Sequence, residues 1–238
     1  MLEIQNLSKE FPVEKGIFTK SSLSVKAVQD VSFSINKNQV LGLVGESGSG
    51  KSTLGKTIMK LLNPTNGQIV FDHEDITDYK NRQMIKVRKK IQMIFQDPFA
   101  SLNPRKNIFD TLAEPVKVHG LVNRSNIKEY ISDIINDVGL NVDSLSRYPH
   151  EFSGGQRQRI GIARSLVLKP QFIIADEPVS ALDVSIQAQV LNLLEKIRDV
   201  YNLTMIFISH DLSVIEYFSD NVVVLYLGRI MEISPKKK

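Results

Sequence analysis

The sequence has no cysteine, no apolar run long enough to span a membrane and only a small excess of positive charge. Without cysteine, the chain forms no disulfide and offers no thiolate to a metal ion or an iron–sulfur cluster. A membrane-spanning helix needs about 20 consecutive apolar residues, and no run approaches that length. The first residues, Met1 to Gln5, lack the charged and apolar regions of a signal peptide. With 42% hydrophobic and 24% charged residues, the composition is typical of a soluble globular protein.

The net charge of +4 is too small to indicate a nucleic-acid-binding surface. The densest basic cluster is Lys86 to Lys90, which precedes the strand-like segment Ile91 to Phe95. A cluster in this position is typical of the solvated end of a helix. We therefore expect no nucleic-acid partner.

The most informative segment is the glycine-rich run from Gly45 to Thr53. It follows the apolar run Val40 to Val44 and leads into the amphipathic segment Leu54 to Leu62. A phosphate-binding loop requires this order of buried strand, glycine-rich turn and helix N-terminus, because glycines let successive backbone N–H groups point at phosphate oxygens. In such a loop Lys51 would contact the β- and γ-phosphates, and the Ser52 hydroxyl would bind Mg²⁺. The segment predicts a nucleotide-binding site.

The segment Phe172 to Asp176 is apolar up to its last residue, which is a carboxylate. Glu177 follows Asp176 directly, so two carboxylates stand side by side at this point. A carboxylate at the C-terminal end of a buried parallel strand, beside a phosphate loop, can hold Mg²⁺ through its water shell. The adjacent carboxylate can then orient or deprotonate an attacking water. We interpret Asp176 as a metal-site residue and Glu177 as a general base.

His210 and Gln96 also follow apolar segments directly. His210 comes after the predicted strand Thr204 to Ser209, which places it at the strand end where ligands bind in α/β sheets. Gln96 comes after Ile94 and Phe95, and its amide has the reach to contact a metal ion or a water. The spacing of Gln96 alone is equally compatible with a structural role.

A second glycine-containing helix start is predicted at Ser153 to Gly155. Such a helix N-terminus suits an anion. One chain needs only one phosphate loop to bind its own nucleotide. A second anion site therefore has a use if it contacts the nucleotide that a neighbouring molecule binds.

The order of strand and helix patterns predicts a mostly parallel α/β sheet around the phosphate loop. Short strand patterns at residues 2–7, 31–35 and 68–71 predict an antiparallel sheet beside that core. From about Asp97 to Leu168 the strand pattern is absent. This region is interpreted as a helical insertion, with one helix that starts at Ser125 or Asn126 and ends at Gly139.

In their order and spacing, these motifs closely resemble those of the ATP-binding-cassette (ABC) ATPases over nearly the whole chain. The resemblance implies a P-loop NTPase fold in which a RecA-like, mostly parallel core spans residues 1–96 and 167–238. It also implies an N-terminal antiparallel β-subdomain and an inserted α-helical subdomain at residues 97–166. Two such domains would dimerise head to tail with ATP between them. Phe152 departs from the leucine that the family mostly has, but the Ser-Gly-Gly-Gln after it is intact.

The resemblance also implies a role for each motif. The residues expected to contact ATP are Phe11, Gly45, Glu46, Ser47, Gly48, Ser49, Gly50, Lys51, Ser52, Thr53, Ser153, Gly154, Gly155, Gln156 and Asp183. Those expected to act in hydrolysis are Lys51, Gln96, Glu177 and His210, and those expected to hold Mg²⁺ are Ser52, Gln96 and Asp176. Phe11 would stack on adenine, and Phe18 is the alternative for that position.

Three longer segments resemble the oligopeptide and dipeptide importer ATPases: Phe95 to Arg105, Tyr148 to Arg159, and Asp176 to Gln189. In that branch two different ATPase subunits usually pair, and phenylalanine before Ser-Gly-Gly-Gln is typical of one of them. The resemblance implies a Mg²⁺-dependent ATPase subunit, peripheral at the cytoplasmic face of the membrane, that powers peptide import. The partners it implies are a second ABC ATPase subunit (a different chain, with self-pairing as the alternative), two transmembrane permease subunits and, indirectly, an extracytoplasmic substrate-binding protein.

Several alternative functions stay open at this point. One is an importer ATPase for another cargo, such as nickel or glutathione. Another is a soluble ABC-type ATPase that acts on nucleic acid or ribosomes, but such proteins usually carry two cassettes or long coiled-coil insertions and this chain has neither. The last is a module that senses ATP without turnover, and the presence of Glu177 and His210 argues against it.

Overall fold

The computed structural model describes residues 1–13, 23–97 and 101–235. The chain divides into two compact units, one from residues 1–85 and from 206 onward, the other from residues 86–205. The boundaries fall within helix α2 (Asn81–Lys90) and strand β8 (Thr204–Ser209). The predicted subdivision into residues 1–96 with 167–238 and residues 97–166 stays a prediction.

The first unit contains an antiparallel sheet of four strands in the order β2-β1-β4-β5. These strands are β1 (Leu2–Pro12), β2 (Ser24–Ile35), β4 (Asn66–Phe71) and β5 (Glu74–Asp75). In the register of the sheet, Leu2 lies opposite both Ile35 and Phe71, and all three side chains are buried. The alternation of buried and exposed residues that predicted this β-subdomain is therefore confirmed.

The strands of the larger sheet that lie in the first unit follow the order β10-β9-β3-β8. Strand β3 (Val40–Val44) is buried along its whole length and pairs in parallel with β9 (Asn221–Tyr226). Strand β10 (Arg229–Pro235) pairs antiparallel with β9. Helix α7 (Leu212–Phe218) packs on β3, and the rings of Phe207 and Phe218 lie 4.6 Å apart between centroids.

Helix α1 (Lys51–Ile58) is shorter than the amphipathic pattern to Leu62 predicts. The chain leaves the helical conformation at Lys60, which has a φ of 55°. The Lys60 ammonium donates hydrogen bonds to the Thr77 carbonyl and to Asn63 Oδ1. These contacts hold Lys60 outside the helical path, so the helix ends early.

In the second unit the strands β7 and β6 are neighbours in the sheet. Strand β6 (Ile91–Ile94) pairs in parallel with β7 (Phe172–Asp176), and Ile94 lies opposite Ala175. Both strands are nearly continuous apolar runs, as expected of strands covered on both faces. Their aligned C-terminal ends place Gln96 and Glu177 at one edge of the sheet.

Four helices of the second unit are α3 (Ile108–His119), α4 (Ile127–Asp137), α5 (Gly154–Leu166) and α6 (Val184–Tyr201). Short 3-10 turns lie at Arg124–Asn126, Val142–Ser146 and Pro149–Glu151. The predicted helix at 125–139 is confirmed as α4, although its first predicted residues form a 3-10 turn. Between residues 101 and 168 the structure contains helices and turns but no strand, as the sequence predicted.

Helix α3 was not predicted, because it contains Pro115. Asn107 caps it by accepting a hydrogen bond from the Asp110 N–H at 2.7 Å, and Gly120 ends it with a φ of 57°. In the part of the chain that the structure describes, no helix is both long enough and apolar enough to cross a membrane.

Candidate functional site

The glycine-rich segment forms a loop between β3 and α1 in the first unit. Gly48 and Gly50 have φ angles of 80° and 102°, a backbone conformation that favours glycine. A Cβ atom on Gly50 would lie 2.1 Å from the Ala27 carbonyl oxygen. The loop can therefore fold in this way only because Gly50 has no side chain.

Lys51 places a buried positive charge at the start of α1. Its side chain is 4% exposed, and its ammonium donates hydrogen bonds to the Gly45 and Glu46 carbonyls at 2.7 and 2.8 Å. The first turn of α1 contains no acidic residue. Because a helix N-terminus is itself partially positive, the loop favours an anion.

Ser49 adds an unsatisfied polar group to this loop. Its hydroxyl oxygen is buried and has no hydrogen-bond partner among the described residues. The adjoining residues Glu46, Ser47 and Gly48 are exposed to solvent. Phosphate oxygens are acceptors that suit the hydroxyl, the ammonium and the exposed loop backbone together.

A turn between β9 and β10 supports the phosphate loop. The sequence did not predict this contact. The Gly228 N–H donates a hydrogen bond to the Ser49 carbonyl at 2.9 Å, and the Gln29 N–H donates one to the Gly228 carbonyl at 2.8 Å. The Gln29 side chain also donates to the Leu227 carbonyl at 2.9 Å. Gly228, between two apolar segments, is a turn signal, but its contact with the loop is long-range and leaves no local pattern.

The second unit brings Gln96 and Glu177 together. The Gln96 side-chain amide donates a hydrogen bond to Glu177 Oε2 at 2.9 Å. Glu177 has a φ of 45°, an uncommon conformation for a residue with a side chain. Its carbonyl accepts hydrogen bonds from the N–H and the hydroxyl of Ser180 at 3.3 and 3.2 Å. The preceding Asp176 is 3% exposed, so Asp176 is buried and Glu177 is half-buried.

His210 is exposed directly after the buried strand β8. The next residue, Asp211, caps α7 by accepting a hydrogen bond from the Ser213 N–H at 2.8 Å, and its own N–H donates to the Ser209 hydroxyl at 3.0 Å. The backbone of His210 is therefore held between a buried strand and a capped helix, and its imidazole faces outward.

The helix start predicted at Ser153 is confirmed at the N-terminus of α5. The Ser153 hydroxyl accepts a hydrogen bond from the Gln156 N–H at 3.4 Å, and the Gln156 side chain accepts one from the Ser153 N–H at 3.1 Å. This reciprocal cap leaves Gly154 exposed at the first helical position. A Cβ atom on Gly155 would lie 2.6 Å from Ile186 on α6, so the close approach of α6 requires glycine there.

Phe152, the departure from the family pattern, is buried just before this helix start and is 4% exposed. The Arg147 guanidinium carbon lies 4.4 Å from the centroid of its ring. An aromatic face offers this cation a favourable contact that leucine lacks.

Two further predicted site residues are Asp183 and Phe11. Asp183 is the N-cap of α6, yet its exposed side chain makes no capping hydrogen bond. Phe11 is half-buried on β1, with the Lys9 ammonium 5.0 Å from its ring centroid. The alternative aromatic, Phe18, lies outside the described residues.

Residues 28–180 match a family model described as ABC transporter. The chain is 54% identical over 237 residues to the oligopeptide transport ATP-binding protein AppF of Bacillus subtilis, which covers 99% of this chain and 72% of that protein. It is 53% identical to the oligopeptide transport ATP-binding protein OppF of Streptococcus mutans over 98% of this chain and 74% of that protein. Among solved structures, the dimeric, post-hydrolysis state of the ATP-binding cassette MJ0796 with ADP and Pi matches with a TM-score of 0.88, 25% identity and full coverage of both chains.

Proposed function

The chain belongs to the ABC transporter family, and we propose that it is the ATP-hydrolysing subunit of a membrane importer for oligopeptides or dipeptides. The observation that carries the hydrolytic part is the Glu177 carboxylate, which is held at the end of β7 by the Gln96 amide. The peptide cargo is supported by the oligopeptide transport proteins AppF and OppF, which are more than half identical to this chain.

In this proposal the loop from Gly45 to Thr53 binds the phosphates of ATP. The Lys51 ammonium, which donates to two loop carbonyls, turns to donate to phosphate oxygens instead. Ser52, Gln96 and Asp176 would hold Mg²⁺, which neutralises phosphate charge when it is bound.

Hydrolysis breaks the bond between the γ-phosphorus and the oxygen that bridges it to ADP, and a water oxygen forms the new bond to phosphorus. Glu177 accepts the proton of that water, and the Gln96 amide holds the carboxylate and the water in place. His210 contacts the γ-phosphate. Positioning of this kind is the main task of the protein, because phosphoryl transfer needs little covalent chemistry from it.

Most of the remaining site residues would act on the nucleotide of a second cassette. Gly154 and Gly155, at the capped N-terminus of α5, together with Ser153, Gln156 and Asp183 would close on the nucleotide of the partner. Phe11 would stack on adenine. Hydrolysis then depends on closure of the pair, so binding and release of nucleotide drive an opening and closing motion.

The partners in this proposal are a second, different ABC ATPase subunit, two transmembrane permease subunits and, indirectly, an extracytoplasmic substrate-binding protein. The chain would lie peripherally at the cytoplasmic face of the membrane. The helical segment 97–166, including Tyr148 to Glu151, would transmit the motion to the permeases.

The test is ATP binding and hydrolysis by the assembled importer, with its second ATPase subunit present, when it carries either the wild type or Glu177→Gln. We expect both proteins to bind Mg·ATP with similar affinity. Turnover of the variant should fall by about 100-fold or more, since loss of a general base costs that much. Glutamine matches the shape of glutamate but accepts no proton at neutral pH.

Glu216→Gln is the matched control, because Glu216 is an exposed glutamate on α7 outside the proposed site. Its turnover should equal that of the wild type. Absence of ATP binding by the wild type, or equal turnover of Glu177→Gln and the wild type, would contradict the proposed function.

A further inference from the structure

Arg164 on α5 contacts the chain on both sides of Gln96. Its Nη1 donates a hydrogen bond to the Ser101 carbonyl, and its guanidinium carbon lies 5.6 Å from the centroid of the Phe95 ring. Phe95 immediately precedes Gln96, and Ser101 follows it in the sequence before α3 begins. A single side chain therefore contacts one residue before Gln96 and one residue after it.

The surroundings of Arg164 strengthen these two contacts. Burial removes water from the guanidinium and lowers the pKa of Arg164 below its ordinary value, although the group stays protonated. Where water is excluded, a charge-assisted hydrogen bond and a cation–π contact are both stronger than at an exposed site. A planar guanidinium can place one edge on a carbonyl and its face on an aromatic ring, whereas a lysine ammonium acts as a point charge.

The contacts continue from the Gln96 segment to the proposed general base, because the Gln96 amide donates to Glu177 at 2.9 Å. We infer that Arg164 is a positioning residue, which holds the backbone around Gln96 against the helix that begins at Ser153 and thereby keeps the Gln96 amide on the Glu177 carboxylate. The effect of Arg164 on catalysis rests on the proposed function, whereas the positioning of Gln96 by Arg164 does not.

Arg159 provides a matched comparison on the same helix. Its Nη1 donates to the Val138 carbonyl at 2.8 Å, and its Nη2 lies 3.5 Å from Gln189 Oε1. It therefore anchors α5 to the end of α4 and to α6, away from the Phe95 and Ser101 contacts. Loss of Arg159 should disturb the packing of α5 without releasing the flanks of Gln96.

The first experiment observes the Gln96 side-chain amide directly by ¹⁵N–¹H NMR of the full chain. The signal is assigned by its loss in Gln96→Ala. In Arg164→Lys and Arg164→Met we expect it to move toward the position of a solvent-exposed glutamine and to broaden. In Arg159→Met it should keep the wild-type position, because that variant leaves both flanks attached. An unchanged Gln96 signal in the folded Arg164 variants would overturn the inference.

The second experiment is a double-mutant cycle on the ATP turnover of the assembled importer that carries each variant. Arg164→Lys should lower kcat about 10- to 100-fold with little change in KM for ATP, since misplacing a positioned group by about 1 Å has an effect of that size. In a Gln96→Ala background, Arg164→Lys should have no further effect, because there is no amide left to position. The effects of Arg159→Met and Gln96→Ala should simply multiply.

The two readouts separate the inference from the proposed function. A wild type without Glu177-dependent turnover would contradict the proposed function, while the NMR signal would still decide whether Arg164 positions Gln96. If Arg164→Lys and Gln96→Ala lower kcat independently of each other, the positioning role of Arg164 is overturned, although the ATPase activity itself stands. Where Arg164→Met does not fold, the more conservative Arg164→Lys decides the question.

Discussion

The glycines of the phosphate loop are constrained in two different ways. Gly48 has a φ of 80°, but a Cβ atom there would meet nothing within 4 Å. Gly50 has a φ of 102°, and its Cβ would collide with the Ala27 carbonyl. At position 48 only the backbone conformation favours glycine. At position 50 there is, in addition, no space for a side chain. The carbonyl belongs to the backbone of β2, so it cannot turn away as a flexible side chain would.

We therefore predict that Gly50→Ala abolishes ATP binding and lowers the free energy of unfolding. A left-handed alanine costs about 1–2 kcal/mol by itself, and the collision at Gly50 adds to that cost. Gly120→Ala is the matched control, because Gly120 ends α3 with a φ of 57° and has open space around its Cβ position.

Chemical denaturation and nucleotide titration of both variants measure the difference. Gly120→Ala should lose about 1–2 kcal/mol and bind ATP normally. If Gly50→Ala lost no more stability than Gly120→Ala and still bound ATP, the close approach of β2 would not constrain the loop.

At the residue scale, the sequence predicts what is encoded locally. The phosphate loop is such a case, because its spacing and flanking segments lie within one continuous stretch. The hydrogen bond between Gln96 and Glu177 depends on the register of β6 against β7, which no local pattern specifies. For the same reason the spacing of Gln96 alone does not predict this hydrogen bond. The contact of Gly228 with Ser49 is equally long-range.

At the scale of secondary structure, prediction succeeded where apolar runs are continuous and bounded. Strands β7 and β8 have the bounds that the sequence indicated, because each is buried along its whole length. Strand β10 was not predicted, since Met231 and Ile233 are exposed and the strand has no buried run. Helix α3 escaped prediction because Pro115 usually breaks a helix, and only its two caps reveal its extent.

Two helices of the second unit are linked at their C-terminal ends by Tyr201 and Asp137. The Tyr201 hydroxyl, on α6, donates a hydrogen bond to the Asp137 carboxylate, on α4. Burial raises the pKa of Tyr201 above its ordinary value, and the Asp137 carboxylate raises it further. The charges of Tyr130 and Asp133 also raise the pKa of Tyr201. The protonated phenol is therefore the form that the fold stabilises.

This link predicts a loss of stability in alkali. Because the pKa of Tyr201 is raised in the folded state, the folded protein binds more protons than the unfolded chain above the ordinary tyrosine pKa of about 10. The contribution of Tyr201 to the free energy of unfolding is complete below that pH and is lost as the pH rises further. Tyr201→Phe should cost about 1 kcal/mol at pH 8, and the gap to the wild type should narrow above about pH 10.

The free energy of unfolding, measured by denaturant between pH 8 and 11, checks this prediction. The difference between the two proteins is the informative quantity, since lysines also titrate in this range. Tyr226→Phe is the control, because Tyr226 is an exposed tyrosine at the end of β9. A difference in the free energy of unfolding between Tyr201→Phe and the wild type that stays constant from pH 8 to 11 would refute the role of the raised Tyr201 pKa.

At the scale of the whole molecule, the chain carries a phosphate loop and a helix start capped by Ser153. The loop lies in the first unit, and the Ser153 helix start lies in the second. The proposed ATP site needs both features, but from two different cassettes. The solved cassette MJ0796, which this chain matches over its full length, is dimeric. The order of motifs along one chain predicts such a shared site, yet it does not specify which second chain completes it.

The identity of that chain gives the last prediction. In the branch that the motifs resemble, two different ATPase subunits usually pair. We therefore expect Glu177→Gln to bind Mg·ATP and remain monomeric when it is alone. Glutamine at this position would trap a closed pair, because hydrolysis no longer opens it.

Light scattering with Mg·ATP and without nucleotide measures the mass, and nucleotide titration confirms occupancy. The control is the same variant with Lys51→Ala added, which removes the ammonium at the loop and should keep the monomer mass in both conditions. A nucleotide-dependent doubling of the mass for Glu177→Gln would contradict the expectation. It would mean that the loop and the Ser153 helix start of this chain complete a shared site with a second copy, so that one kind of ATPase subunit suffices.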